Sequence, residues 1–185
     1  MPDVDPAELR RFTRSEFHHM RQAGWFDQQR VELVHGLVRR MSPMGAEHSY
    51  SVRMLVRVLV PQVLDRAEVF VQLPMAASED SQPEPDFALT PLGQYLDDHP
   101  EGAWLVVEVS ESSLSYDRQV KGPLYASMGV PAYWIVNLVD RVIEVHAEPG
   151  AEGYAQVTLA RGSDLLTIPD LPGVTVRAGD LMPPA

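Results

Sequence analysis

Residues 103–110 read AWLVVEVS, a near-continuous apolar run interrupted by one carboxylate. Successive side chains of a strand point to opposite faces, so a run that is apolar at neighbouring positions needs cover on both sides. That requirement predicts a central strand held between two layers.

The flanking segments supply the layers. Thr13-Arg14-Ser15-Glu16 has the capping-box pattern and opens a helix to about Ala23. RVELVHGLVRRM predicts a hairpin turning at His35-Gly36, with Gly36 free to take a positive φ. From Ala46, the apolar residues Val52, Leu55, Val56, Leu59 and Val60 recur at helical spacing, and Pro61 predicts a kink or an end. EVFVQLPM reads as a strand, and so does DFAL, which is entered through the proline-stiffened SQPEPD. Residues 114–128 predict a helix with Val120, Leu124 and Met128 as its apolar stripe, Gly129 as its stop and Pro123 as an irregularity. PAYWIVNL, RVIEVHA, YAQVTLA and GVTVR read as strands, with Asp140-Arg141 as a hairpin turn. The sum is an α/β fold in one domain, residues 1–185, with a mixed, mostly antiparallel sheet flanked by helices.

Composition narrows the function. The chain has no cysteine, which excludes disulfides and thiolate metal sites. MPDVDPAELRR lacks the pattern of a secretory leader, and the apolar stretch LVRVLVPQVL is broken by Arg57 and Pro61, so a cytoplasmic protein without a membrane partner is expected. The net charge of −11 opposes avid non-specific binding to a polyanion. The charge is uneven, however. Residues 1–60 hold nine arginines against seven acids, whereas residues 61–185 hold six bases against nineteen acids. A local basic patch in the first third is compatible with that balance.

Glu108 breaks the apolar run, and a carboxylate there costs several kcal/mol unless it is paired, protonated or metal-bound. A strand end reaching solvent or an arginine pair would also explain it. Asp86, in PEPDFAL, is either a turn cap or a carboxylate held at the mouth of the sheet. Adjacent strands would bring Asp86 beside Glu108, and a divalent cation between them would remove their repulsion; oxygen ligands, with the Val109 carbonyl as a third, select magnesium or manganese. Lys121 is the only lysine beside fourteen arginines. It shares a helix face with Asp117 and Tyr125, and it is either half of an exposed Asp117–Lys121 pair or a compact ammonium serving a tight site. Glu32 interrupts the strand VELV as Glu108 interrupts its own, unless the hairpin points it at water. Gln72 reads as a strand polar group. His48, near a helix start, reads as a cap, a surface group or a phosphate contact. His18-His19 lack matched ligand spacing, and there is no Gly-rich phosphate loop or GxSxG elbow.

VELVHGLVRRMSPMGAEH, VQLPMAASEDSQPEPDFAL and VVEVSESSLSYDRQVKGPLYASMGVPAYWIVNL together resemble the Uma family of putative restriction endonucleases, in order over about residues 12–180. The resemblance implies a restriction-endonuclease-like core of the PD-(D/E)XK nuclease superfamily. It marks Glu32, Asp86 and Glu108 as the acidic residues. The lysine of the usual E-X-K pattern would fall at Ser110, and the resemblance moves it to Lys121. Ala132 and Asn137 depart from acids that relatives carry. The expectation is a magnesium-dependent endonuclease hydrolysing DNA phosphodiester bonds, with manganese as a substitute ion. Asp86, Glu108 and Val109 would hold the metal, and Arg39, Arg40, His48, Arg53 and Arg57 would contact DNA. A nuclease fold that only binds nucleic acid or a partner is the alternative, RNA or branched DNA a further substrate, and homodimerisation through an edge strand is compatible with either.

Overall fold

The capping box forms as the sequence predicts. The Thr13 side chain accepts the Glu16 N–H, the Glu16 carboxylate accepts the Thr13 N–H at 3.0 Å, and α1 (Arg14–Gln22) starts there. The computed structural model describes residues 9–184, so most of the segment MPDVDPAELRR lies outside the described residues. The hairpin follows as β1 (Val31–Val34) and β2 (Leu37–Arg40), with His35 at φ 49° and Gly36 at φ 73°. Positive φ at both central residues gives a two-residue turn whose twist matches its strands. Gly36 is also required sterically, since a Cβ there would lie 2.4 Å from the Arg11 Cβ. β1 buries Val31 and Leu33 against Phe17 of α1, which turns Glu32 to the opposite face.

α2 (Ala46–Val63) passes through Pro61 and ends two residues later. A proline so near the end removes one backbone bond and shortens the helix little. β3 (Glu68–Phe70) is shorter than EVFVQLPM predicts, because Gln72 takes φ 53° and leads the chain off the sheet. Next come β4 (Phe87–Thr90) and β5 (Leu105–Ser110), the apolar run of the sequence. The helix expected over 114–128 is three pieces: α3 (Leu114–Tyr116), a π-turn (Asp117–Lys121) and α4 (Gly122–Ser127). β6 (Ala132–Asn137), β7 (Val142–Gly150) and β8 (Gly153–Ala160) complete the main sheet. β9 (Leu165–Thr167) and β10 (Thr175–Arg177) pair in a small separate sheet.

The six-stranded sheet has the order β3-β4-β5-β6-β7-β8, antiparallel except for the parallel pair β5–β6. A parallel pair needs a crossover, and the α3–π-turn–α4 segment provides it. On one face Leu105, Val107 and Val109 pack with Leu55 and Leu59 of α2 and with Trp134. On the other, Val106 packs with Tyr125 of α4, Tyr133 and Ile135. Each fully buried Leu, Val or Ile contributes about 1.5–3 kcal/mol, so the apolar residues of β5 together oppose any shift of the strand that would expose Glu108. Among the described residues no helix is long and apolar enough to cross a membrane.

Candidate active site

The parity that buries Val106 on the crossover side sends Glu108 and Ser110 to that side too. β4 pairs with β5 so that Phe87 faces Val107, and the same register places Asp86 across from Glu108. Asp86 is pinned: Oδ2 accepts the Val109 N–H at 2.8 Å, and Oδ1 meets His48 Nε2 at 2.9 Å and the Gln72 side-chain amide at 3.3 Å. Lys121 enters from the crossover. Its Nζ lies 2.9 Å from Glu108 Oε1 and 3.0 Å from Glu32 Oε2. Tyr125 donates its hydroxyl to the same Glu108 Oε1 at 2.8 Å. The structure therefore brings Glu32, Asp86, Glu108 and Lys121 together, all nearly or fully removed from solvent.

The exposed Asp117–Lys121 pair does not exist. Asp117 is 2% exposed, and its Oδ2 accepts hydroxyl hydrogens from Ser110 and Ser113, both at 2.6 Å. Ser110 stands where E-X-K would put a lysine, and it serves this carboxylate. The apolar stripe of the crossover is also displaced: Val120 and Met128 are half-buried, while Asp117 and Lys121 form the innermost face.

Four carboxylates thus surround one ammonium. Arg39 offsets part of the excess, with Nη1 3.2 Å from Glu32 Oε1 and its guanidinium 3.7 Å over the Tyr116 ring. Burial pushes the Glu108 carboxyl well above the usual carboxylate range; Lys121 opposes this, and Asp117, Asp86 and Glu32 reinforce it. Burial likewise raises Asp117 despite Lys121 and its two serine donors. Asp86 goes the other way. Burial alone would raise it, but the His48 contact, the Val109 N–H and Lys121 hold it below its ordinary value. Lys121 resists deprotonation, because the attraction of Glu108, Glu32 and Asp117 outweighs its burial.

These groups line a cavity of ≈ 70 Å³, bounded also by Arg30 and the loop 41–45. Among the described residues no group of three or more His, Asp or Glu side chains is arranged to hold a metal ion. The donors fit a smaller demand. Both hydrogen bonds to Glu108 fall on Oε1, which leaves Oε2 without one. Asp86 presents a second carboxylate, and magnesium keeps several waters while taking one or two protein carboxylates.

The proposed DNA contacts divide. Arg39 and His48 line the cavity. Arg40, at the end of β2 next to the lining residue Met41, and Arg53 and Arg57, on α2, are exposed and do not line it. Sequence reasoning gave Gln72 only a strand role and left out Arg30 and Ser113. Nothing in local periodicity links residues 48, 72 and 86; only the folded register does.

A mixed sheet with one parallel pair, flanked by helices and carrying acids at the ends of its middle strands, is a restriction-endonuclease-like core, a nuclease fold. The chain belongs to the Uma2 family, described as "Putative restriction endonuclease", whose model matches residues 14–179. A similar solved structure is that of a protein described as a putative nuclease belonging to DUF820, from Anabaena variabilis ATCC 29413. It aligns with a TM-score of 0.74 over 92% of this chain and 97% of that one, at 14% identity, a likeness of fold. No match to a curated protein is found.

Proposed function

We propose that this chain is a magnesium-dependent endonuclease that hydrolyses DNA phosphodiester bonds. The observation that carries the proposal is the gathering of Glu32, Asp86, Glu108 and Asp117 around the single ammonium of Lys121, in a cavity that reaches solvent. Excess negative charge at low dielectric favours uptake of a cation. Asp86 and Glu108 would hold magnesium, or manganese in its place, with the Val109 carbonyl as a third oxygen. A divalent ion bound there supplies polarisation of the phosphate and acidifies a bound water.

The chain's own groups do the rest. His48, Gln72 and the Val109 N–H fix the Asp86 carboxylate. Glu32 and Glu108 hold Lys121 protonated, so it serves as a fixed positive charge beside the attacked phosphate, where charge develops. Arg39 holds Glu32, and Arg40, Arg53 and Arg57 supply exposed positive charge for the DNA backbone.

Titration calorimetry with manganese and a cleavage assay on duplex DNA with magnesium test the proposal together. Binding and cleavage that are both lost in Glu108→Gln are expected. Equal cleavage by the wild type and Lys121→Ala would refute the role of the lysine. A protein that binds no metal and cuts neither DNA nor RNA would instead be a binding module on a nuclease fold.

A further inference from the structure

The crossover carries a second set of ionic contacts on its far side, outside the site described above. Glu144 of β7 is 3% exposed. Arg118 grips it with both arms of its guanidinium, Nε to Oε2 at 2.9 Å and Nη2 to Oε1 at 2.6 Å. The Asn137 side-chain amide donates to the same Oε1 at 2.7 Å, which fixes the carboxylate from β6. Arg118 is one of the five residues of the π-turn, and so is Lys121. One end of the turn is therefore bolted to the sheet while the other delivers the ammonium.

The turn is itself unusual. Side chains spaced by four drift about 40° around an α-helix at each step. Asp117, Lys121 and Tyr125 would spread over about 80° in an unbroken one. Here all three are buried, at 2%, 3% and 0% exposure. A π-turn adds a residue to the helical circuit and takes up that drift. Its cause lies in the sequence. Pro123 has no N–H for the Gln119 carbonyl and its ring crowds that carbonyl in a regular α-turn, and the neighbouring Gly122 N–H bonds to the Asp117 carbonyl, five residues back, rather than to that of Arg118. That carbonyl also accepts the Tyr133 hydroxyl at 3.1 Å. A Cβ at residue 122 would lie 3.3 Å from it and 3.5 Å from the Tyr133 ring, so glycine lets the turn sit against β6.

We propose that Arg118, Glu144 and Pro123 are positioning residues for Lys121: Pro123 widens the turn, and the Arg118–Glu144 clamp fixes its rotation, so that Nζ reaches Glu108 and Glu32 at once. The consequence for rate rests on the nuclease function proposed above; the placement of the ammonium does not. A fixed charge displaced by about 1 Å loses up to about 100-fold in rate, whereas groups that act through a neighbour cost about 10- to 100-fold.

The lone lysine supplies the test. Labelling the full chain with 15Nζ,13Cε-lysine yields a single side-chain resonance, that of Lys121. In Arg118→Ala, Glu144→Gln and Pro123→Ala this resonance is expected to move from its wild-type position. The kcat for DNA cleavage is expected to fall about 10- to 100-fold with DNA affinity unchanged. Wild-type resonance and wild-type kcat in folded Arg118→Ala and Pro123→Ala would overturn the proposal. If Arg118→Ala does not fold, Pro123→Ala, which leaves the clamp intact, decides it. If the wild type does not cut DNA, the nuclease function fails and the resonance alone decides the positioning role.

Discussion

Replacing Lys121 by methionine isolates what the ammonium does for the fold. Methionine keeps most of the length and packing of the stem and deletes the charge. Two contacts disappear, at 2.9 Å to Glu108 and 3.0 Å to Glu32. At an effective dielectric of about 20, each is a gross attraction of roughly 5–6 kcal/mol before desolvation is subtracted. Removing one partner of a buried pair costs about 3–5 kcal/mol net, because the other charge remains buried and unanswered. For a chain of this size each kcal/mol moves Tm by about 2–4 °C, so a fall of roughly 6–20 °C is expected by calorimetry at neutral pH. The pH dependence identifies the cause. Without Lys121, Glu108 loses the influence that opposes its already raised pKa. An acid whose folded pKa lies above its unfolded value binds more protons when folded, so its destabilising effect is absent below the unfolded value of 4.5 and grows as pH rises toward the folded value. The deficit of Lys121→Met should therefore shrink at about pH 5 relative to about pH 8. A Tm within about 2 °C of wild type at neutral pH, or a deficit equal at the two pH values, would refute the electrostatic account.

Other perturbations separate fold from site. Glu108→Gln should destabilise the metal-free protein less than Lys121→Met does at neutral pH, because Lys121 keeps Glu32 at 3.0 Å and burial opposes the ionised Glu108 carboxyl; a loss by urea denaturation equal to that of Lys121→Met would contradict this. Arg53→Ala with Arg57→Ala should weaken DNA binding across sequences and lower the slope of log affinity against log salt by about two, while leaving Tm within about 1–2 °C; an unchanged slope would remove both from the DNA surface. Leu59→Ala empties a fully buried position on the α2 face of the sheet and should cost about 2–5 kcal/mol in urea denaturation, with manganese affinity of the folded fraction retained.

What the sequence made legible were features with a short physical reach. The run AWLVVEVS specified a strand covered on both faces because burial acts residue by residue. The Thr13–Glu16 box and the His35-Gly36 turn are local geometries with local residue demands. Glu108 stood out by interrupting an apolar run, and Lys121 by its residue type. What stayed hidden needed the fold. His48 and Gln72 meet at Asp86 from 38 and 14 residues away, contacts that no periodicity encodes. Asp117 read as half of a surface pair because its partners Ser110 and Ser113 belong to β5 and the loop after it. Glu144 interrupts VIEV much as Glu108 interrupts WLVVEV, and the same reasoning applied to β7 would have found it. Pro123 was legible as an irregularity, but its effect on the aim of Lys121 emerges only from the register of the whole crossover.

The parallel pairing of β5 with β6 has a consequence for the order in which the protein matures. β5 bears Glu108, the crossover bears Lys121, and the crossover is drawn onto the sheet only when β6, which begins at Ala132, is there to pair. Contacts that close a long intervening loop form late in folding. A ribosome that has released the chain through the crossover has made Glu32, Asp86, Glu108 and Asp117 but not the strand that pairs beside β5. On the nuclease function proposed above, the centre is assembled only once synthesis has passed β6, so an unfinished polypeptide would not cut nucleic acid near its place of birth.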